Sequence, residues 1–242
     1  MKSEEIVAII PHYNHSQTIL NVVEKLTALK LAVMVIDDGS SSQEKEKLSS
    51  LLLLQNVQVI YRTENGGKGA AVKEALNIAF KQGFQYALQV DADGQHNLDD
   101  IPQFFAKLEQ NPTAIICGKP IYGKDAPKAR VYGRKITDFW NMINTLSTDL
   151  KDGMCGFRLY PLNSIIPILS SEKIGERMDF DTEILVKAHW YQIPMLWVDT
   201  PVKYAEDGIS HFQGFRDNLM ISKMHARLFF KMLQRKLTGK AV

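Results

Sequence analysis

The residues with the clearest chemical potential are two aspartates one position apart, Asp91 and Asp93, in the stretch LQVDADGQHN. Carboxylate oxygens with open coordination positions suit Mg²⁺ or Mn²⁺ carrying a diphosphate, because the metal offsets negative charge that neither partner could hold alone. If strand geometry continues through Asp93, both carboxylates point to the same side and can share one ion. Gly94 would leave room for a phosphate group, and Gln95 could add a neutral oxygen ligand.

The same DxDG spacing is found in aspartyl phosphatases, where the first Asp is a nucleophile. That motif is expected at the first strand of its fold, whereas here it follows the fourth predicted strand. A bare Asp-x-Asp is common in solvated turns, but one directly after a strand of an α/β chain is much less so. This position counts against a phosphatase, which nevertheless stays a rival to the metal and diphosphate site on this motif alone.

Two further motifs, DDGS at residues 37–40 and NGGKG at 65–69, could bind parts of a nucleotide. In the first, a carboxylate could accept a hydrogen bond from a base N–H or a ribose hydroxyl, or the turn could simply cap the next helix. The second opens a helix but has neither P-loop spacing nor the dinucleotide fingerprint. It fits an anion site at a helix N-terminus, and equally a loop that needs positive φ.

A regular alternation of strands and helices positions these motifs. It predicts right-handed βαβ crossovers and an α/β fold with a mostly parallel sheet flanked by helices. Ligands bind beyond the carboxyl ends of such strands, where PHYN, DDGS and DADGQH all fall. The predicted strands are residues 6–10, 32–36, 57–61 and 86–90, and the predicted helices are 16–29, 41–54 and 69–82.

The second half of the chain is less regular. Residues 118–134 are basic with interspersed Gly and Pro, which predicts a long loop leading into a helix around 136–146. Residues 152–160, DGMCGFRLY, have strand character. The segment FDTEILVKAHW predicts a helix with Asp181 near its N-terminus, and residues 194–204 predict a further strand.

Composition bounds the class of protein. The chain has 242 residues, 45% of them hydrophobic, which fits one large domain or one domain with an appendage. The net charge of +2 gives no case for a nucleic-acid partner. Cys117 and Cys155 form no metal knuckle or disulfide framework, so a reducing cytoplasmic compartment is expected. No signal peptide or membrane-spanning segment is predicted, which leaves a soluble or membrane-surface protein.

Residues 217–237 predict a basic amphipathic C-terminal helix. Such a pattern is typical of a helix packed on its own domain, or of one at a membrane interface. The predicted apolar face consists of Ile221, Met224, Leu228, Met232 and Leu233, set against Lys223, Arg227, Lys231, Arg235 and Lys236.

Taken together, the motifs resemble the inverting family 2 glycosyltransferases with the GT-A fold, in the pattern of the dolichol-phosphate mannosyltransferase-like polyprenyl-phosphate sugar transferases. The matching pieces are IPHYN, VIDDGS, NGGKGAAV, QVDADGQH, DGMCGFRLYP and FDTEIL, in the family's order and covering roughly residues 6–205. After Gly118 the family's arginine-rich acceptor loop is replaced by KPIYGKDAPKARVYGRK. The resemblance therefore supports the identity of the donor more strongly than the identity of the acceptor.

The resemblance implies a role for individual residues on both sides of one site. On the donor side it implies base and ribose contacts from Pro11, Tyr13 and Asp38, a nucleotide contact from Lys68, and metal and diphosphate contacts from Asp91, Asp93 and Gln95, with His211 as a C-terminal metal ligand. On the acceptor side it implies Asp152, Gly156, Phe157 and Arg158.

Two acceptor chemistries follow from this resemblance. A lipid phosphate is already an anion and needs only positive charge to hold it, for which the candidates are Lys124, Lys128, Arg130, Arg134 and Arg158. A hydroxyl acceptor needs a carboxylate to take its proton, for which the candidates are Asp152, Asp181 and Glu183. Asp181 and Glu183 could instead favour the helix N-terminus, and Arg158 could be an ion-pair partner.

We expect a metal-dependent inverting glycosyltransferase that moves a sugar from a UDP- or GDP-sugar to a lipid-linked acceptor in cell-envelope biosynthesis. It would work in the cytoplasm, at the inner face of the membrane. Residues 1–212 would form the GT-A domain and residues 213–242 a membrane-associating helix. The alternatives are a sugar nucleotidyltransferase, an aspartyl phosphatase and a non-catalytic nucleotide-sugar binding module.

Overall fold

The computed structural model describes residues 3–123, 128–202 and 214–242, in which seven strands form one sheet. These strands are β1 (Ile6–His12), β2 (Ala32–Asp37), β3 (Val57–Tyr61), β4 (Tyr86–Gln89), β5 (Ile115–Tyr122), β6 (Arg158–Pro161) and β7 (Met195–Val202). Their order across the sheet is β3-β2-β1-β4-β6-β5-β7. Only β6 runs antiparallel to its neighbours β4 and β5, so the predicted mostly parallel sheet is confirmed.

Helices cover both faces of this sheet. They are α1 (Ser16–Ala28), α2 (Ser42–Ser49), α3 (Lys68–Lys81), α4 (Ile101–Gln110), α5 (Lys128–Thr145), α6 (Leu162–Ser171), α7 (Phe180–Trp190) and α8 (Gly214–Leu237). Alternate residues of β1 enter different cores: Val7 and Ile9 pack with α3, α6, α7 and α8, whereas Ala8 and Ile10 pack with α1 and α4. Burial on both faces explains why β1 reads as an unbroken apolar run.

The first half of the chain follows the predicted alternation closely. Each of the four predicted strands and three predicted helices is present, and α2 ends at Ser49 with a 3₁₀ turn continuing over Ser50–Leu53. Because β2, β1 and β4 are neighbours, their carboxyl ends bring the three polar motifs to one edge of the sheet.

The predicted long loop at residues 118–134 is wrong for most of its length. Strand β5 continues to Tyr122 and α5 begins at Lys128. Strand β5 pairs with β7 from Ile115 to Tyr122, so tertiary pairing overrides the Gly and Pro content. Pro120 is tolerated because β6 pairs only with Ile116 and Cys117, which leaves that edge of β5 open.

The predicted strand at residues 152–160 forms only from Arg158 onwards. The preceding residues turn around one carboxylate, since the backbone amides of Met154 and Cys155 both donate to Asp152 Oδ1, at 2.8 and 2.7 Å. A side chain that satisfies local amides competes with strand pairing, which explains the late start of β6.

The C-terminal helix α8 packs its apolar face onto the domain. Ile221, Met224, Leu228 and Met232 are all buried in the core shared with α3, α6 and α7. Four of the five residues of the predicted apolar face are therefore covered by protein, while Leu233 is 39% exposed. The division at residues 212 and 213 stays a prediction. Within residues 3–123, 128–202 and 214–242, no helix has the length and hydropathy to cross a bilayer.

Candidate active site

The ends of β1 and β2 form a rigid platform beneath the candidate site. His12 and Asp37 are both buried, and the His12 Nδ1 lies 3.0 Å from Asp37 Oδ1. The backbone amide of Asp38 donates to the carbonyl of His12 at 2.8 Å, which joins the two strand ends. Pro11 lies at the end of β1 and Tyr13 follows it with an exposed side chain, so both predicted nucleotide contacts lie at this edge.

The carboxylate of Asp38 binds the glycine loop that precedes α3. It accepts hydrogen bonds from the backbone amides of Gly66 at 3.0 Å and Gly67 at 2.7 Å, and it pairs with Arg62. Gly67 has a φ of 103°, a conformation open to glycine and costly for other residues. Asp38 is therefore the anion that these two loop amides bind, and it sets the position of Lys68.

Lys68 joins two carboxylates from different parts of the chain. Its Nζ lies 2.7 Å from Asp91 Oδ1 and 3.0 Å from Asp181 Oδ2. Burial alone would lower the pKa of Lys68, but the charges of Asp181 and Asp91 outweigh it and raise the pKa well above its usual range. Burial would raise the pKa of Asp91, but Lys68 and His96 hold that pKa far below its usual range.

His96 and Gly156 fix the position of Asp91. The His96 Nε2 lies 3.2 Å from Asp91 Oδ2, and its ring stacks on Phe157 with centroids 5.1 Å apart. A Cβ atom at Gly156 would lie 2.7 Å from Lys68 Nζ and 2.8 Å from Asp91 Oδ1. Glycine at this position therefore allows the GFR segment to lie directly against the Lys68–Asp91 pair.

Asp93 and Gln95 lie on a turn beyond β4. The strand ends at Gln89, so the alternation expected to align Asp91 with Asp93 does not extend to them. Asp93 Oδ1 accepts a hydrogen bond from the Gln95 amide at 3.0 Å, and both residues are partly exposed. Gly94 has a φ of 69°, while a Cβ there would meet Thr18 at an ordinary 3.7 Å, so backbone conformation rather than space explains this glycine.

Asp181 and Arg158 lie in a buried polar layer behind the site. Gln89 Nε2 donates to Asp181 Oδ1 at 3.2 Å, and Tyr160 donates to Gln89 Oε1 at 3.1 Å. Arg158 is almost fully buried and donates to the backbone carbonyls of Asp181 and Gly153. The structure therefore places Arg158 as a support of the site's frame and leaves Asp181 as the buried partner of Lys68.

The acceptor-side residue Asp152 is held by Arg134 of α5. The Arg134 Nη1 lies 2.7 Å from Asp152 Oδ2 and 3.0 Å from Oδ1. Nearby, burial and then the negative charge of Asp152 raise the pKa of Asp138 to about 7. Sequence reasoning missed Asp138; its spacing of four from Arg134 on one helix face was hidden by the predicted loop.

Glu183 does not join this cluster. It is fully buried, with Oε1 3.0 Å from Lys187 Nζ and Oε2 2.6 Å from Arg227 Nη2, so it ties α7 to α8. Several predicted residues cannot be placed in the site: Lys124 and His211 lie outside the described residues, as do the side chains of Lys128 and Arg130.

The described residues contain no group of three or more His, Cys, Asp or Glu side chains that could hold a metal ion. Two carboxylates completed by substrate oxygens are nevertheless a normal way to bind Mg²⁺ or Mn²⁺ with a diphosphate. Asp91 and Asp93 supply the hard oxygen donors that this requires, so the donor set fits such an ion.

Charged side chains gathered beyond adjacent strand ends lie where open α/β sheets bind their ligands. A family model described as "Glycosyl transferase family 2" matches residues 7–165, about two thirds of the chain. The chain belongs to glycosyltransferase family 2, as its sequence motifs indicated, and is an enzyme of that family.

Relatives with assigned activities match most of the chain. The UDP-N-acetylglucosamine–dolichyl-phosphate N-acetylglucosaminyltransferase of Methanococcus voltae is 25% identical, with 98% of each chain covered. The polyprenol monophosphomannose synthase of Mycolicibacterium smegmatis is 21% identical, covering 88% of this chain and 82% of that protein.

A solved structure supports the fold independently. Glucosyl-3-phosphoglycerate synthase from Mycobacterium tuberculosis, in complex with Mn²⁺ and UDP-glucose, superposes with a TM-score of 0.67 at 15% identity. The match covers 95% of this chain and 78% of the other. At this identity the likeness establishes the GT-A fold and no more.

Proposed function

We propose that this enzyme is a metal-dependent inverting glycosyltransferase that uses a UDP- or GDP-sugar and transfers the sugar to a polyprenyl phosphate or a related lipid-linked acceptor of the cell envelope. The observation that carries the proposal is the Lys68–Asp91–Asp181 cluster at the carboxyl end of β4, with Asp93 on the adjoining turn. The names of the Methanococcus voltae and Mycolicibacterium smegmatis relatives support the lipid-phosphate acceptor.

On the donor side the chain supplies charge and position. Asp91 and Asp93 would hold a divalent ion, which neutralises the leaving diphosphate when bound. Lys68 remains a cation and offers a second positive charge to that group. Pro11, Tyr13 and Asp38 would hold the base and ribose at the ends of β1 and β2, and Gln95 would support the diphosphate from the turn.

On the acceptor side the hydrogen bonding favours an anionic nucleophile. A general base needs free lone pairs within reach of the proton that it takes. Asp152 accepts from Arg134 and two backbone amides, Asp181 is buried against Lys68, and Glu183 lies in a separate ion-pair network. A phosphate acceptor needs none of these as a base, because it attacks the anomeric carbon as an anion.

We propose that the chain works at the cytoplasmic face of the membrane, because the proposed reaction joins a nucleotide sugar to a lipid phosphate. The family shown by the sequence argues against a nucleotidyltransferase or a phosphatase. A non-catalytic binding module is distinguished by turnover, because only an enzyme releases the nucleoside diphosphate in step with acceptor consumption.

The test is a thermal-shift panel of UDP-, GDP-, CMP- and dTDP-sugars with and without Mn²⁺, because a ligand that binds the native state raises Tm. We expect one UDP- or GDP-sugar to raise Tm only when Mn²⁺ is present. Asp93→Asn should abolish that metal-dependent shift and sugar transfer. Asp99→Asn, the same change at an exposed acid of the 3₁₀ turn after the motif, should leave both intact.

The acceptor is tested by comparing a polyprenyl phosphate with the corresponding polyprenol in detergent. We expect transfer to the phosphate only, and transfer to the alcohol alone would overturn the acceptor assignment. If no sugar nucleotide shifts Tm and Asp93→Asn turns over normally, the donor assignment fails as well.

A further inference from the structure

Helix α5 presents its apolar side chains to solvent. Tyr132, Ile136 and Phe139 are 65%, 62% and 54% exposed, Met142 continues the same side, and the exposed Leu146 directly follows the helix. At 3.6 residues per turn the four positions within α5 fall within an arc of roughly 120°. A helix packed on a soluble domain normally turns such a stripe toward the core.

The opposite side of α5 is polar and buried. Thr137, Asn141, Asn144 and Thr145 are each no more than 5% exposed. Asn144 contacts two other helices: its backbone carbonyl accepts from the Trp190 indole of α7 at 2.9 Å, and its side-chain Nδ2 lies 3.2 Å from His225 Nδ1 of α8. The orientation of α5 is therefore fixed by its polar face, and its apolar face is left without a partner in the described chain.

Helix α8 continues this apolar surface. Its own outer side exposes Leu219, Phe230, Leu233 and Leu237. A row of rings joins the two helices: Phe139 contacts Trp140 at 6.3 Å between centroids, Trp140 contacts Phe229 at 6.4 Å, and Phe229 contacts Phe230 at 5.7 Å. The two helices thus hold nine of the eighteen large hydrophobic side chains exposed in the described residues, counting Leu146 at the end of α5.

Positive charge is concentrated on the same two helices. Together they carry ten Lys and Arg against two Asp, a formal +8, whereas the whole chain carries +2. Three of these cations pair with acids of other elements: Arg134, Arg227 and Lys231. Others have exposed side chains that border the apolar surface, namely Lys135, Arg216, Lys223 and Lys236.

We propose that the outer faces of α5 and α8, from Tyr132 to Leu146 and from Leu219 to Leu237, form one docking surface for an anionic phospholipid bilayer. Aromatic and aliphatic side chains bordered by Lys and Arg are the composition of interfacial helices. Anionic headgroups attract such a surface. A two-fold contact with a second copy would instead place two strongly positive faces opposite each other.

Of the apolar face predicted for α8, only Leu233 lies on this surface, because the other four residues are buried. The surface also adjoins the acceptor side, because the inner face of α5 carries Arg134, the partner of Asp152. The inference deepens the proposed function by stating how a lipid-borne acceptor reaches the site, and in this respect it rests on that function. The docking itself rests on burial and charge alone.

The experiment is flotation of the full chain with phosphatidylcholine vesicles that contain about 30% phosphatidylserine. We expect the protein to float with these vesicles and to be released as salt is raised from about 0.1 to 0.5 M, because exposed charges are screened. The triple variant Ile136→Ser, Phe139→Ser, Phe230→Ser should lower the partition coefficient by about tenfold or more.

The matched control is Leu52→Ser, Leu53→Ser, which removes two exposed leucines from the 3₁₀ turn after α2 and should bind vesicles like the unchanged chain. Circular dichroism and Tm check that both variants fold. The triple variant should keep the Mn²⁺-dependent donor shift, since none of its positions touches the donor site.

Three results would overturn the proposal: no flotation of the unchanged chain, equal flotation of the triple variant and the control, or a dimer in light scattering that the triple variant dissociates without any vesicle binding. Flotation without any sugar-nucleotide shift would support the docking surface while refuting the proposed function. A sugar-nucleotide shift without flotation would support the proposed function and refute the docking surface.

Discussion

The substitution Gly156→Ala tests whether the Lys68–Asp91 pair is the working centre of the donor site. Gly156 does not have a positive φ, so alanine fits its backbone, and the change adds only a Cβ atom. That atom would lie 2.7 Å from Lys68 Nζ and 2.8 and 2.9 Å from the two Asp91 oxygens. Each of these distances is shorter than an ordinary contact, so the pair must move.

The size of the effect follows from these distances. Restoring contacts of about 3.4 Å requires the charged groups to shift by roughly 0.5–0.7 Å, and overpacking of this kind costs about 1–3 kcal/mol. For a domain of this size that predicts a fall in Tm of roughly 2–12 °C. Misplacement of a charged group by about 1 Å can lower the rate about 100-fold, so kcat/KM should fall more than stability does.

The assay measures Tm, the Mn²⁺-dependent donor shift and kcat/KM for the same preparations. Gly133→Ala is the matched control, because a Cβ at this exposed helical position meets nothing within 4 Å. It should leave the donor shift and kcat/KM unchanged and raise Tm slightly, because Ala favours the helix more than Gly does. If Gly156→Ala keeps full transfer and an unchanged Tm, the close packing of GFR on the Lys68–Asp91 pair is not part of the working site.

Three further predictions concern charge. Lys68→Met leaves Asp91 and Asp181 without their shared cation and should lower the free energy of unfolding by about 3–5 kcal/mol at pH 7.5. Urea unfolding at pH 5 should show a smaller loss, because one carboxylate can then take a proton. Burial and Asp152 raise the pKa of Asp138 to about 7, so its contribution to stability is lost as pH rises from about 4 through 7. Asp138→Asn should therefore raise Tm more at pH 8 than at pH 5, and an equal change at both values would refute this. Glu183→Gln should lower stability by about 3 kcal/mol without lowering turnover per folded molecule, whereas a catalytic base would show the opposite.

The donor half of the fold was predictable because its local signals agree with its tertiary structure. The apolar run of β1 and the helical spacing of α1 and α3 each specify one element, and short βαβ connections leave few topologies. The adjacency of the DDGS and DADGQH motifs follows from that topology. The binding of the Gly66 and Gly67 amides by Asp38 could not be predicted in this way, because it depends on a loop conformation that residue spacing does not encode.

The acceptor half was harder for a physical reason. A helical period shows that α5 is amphipathic, but it does not tell which face turns inward, and here the polar face is buried. The spacing of hydrophobic residues also predicted the apolar stripe of α8. It did not tell whether protein or lipid covers that stripe. Only the surrounding contacts, such as Arg227 with Glu183, settle that the stripe of Ile221 and Met224 packs on the domain.

The electrostatics of the two sides have different consequences for pH. Lys68 keeps its proton and Asp91 stays ionised across the working range, because their mutual contact moves both pKa values away from neutrality. The Lys68–Asp91 pair therefore presents fixed charges to the diphosphate. Asp138 titrates at about 7 beside Asp152 and Arg134, so any change in transfer rate around neutral pH that Asp138→Asn removes reports the acceptor side. A single pH profile of this variant consequently separates the two halves of the site.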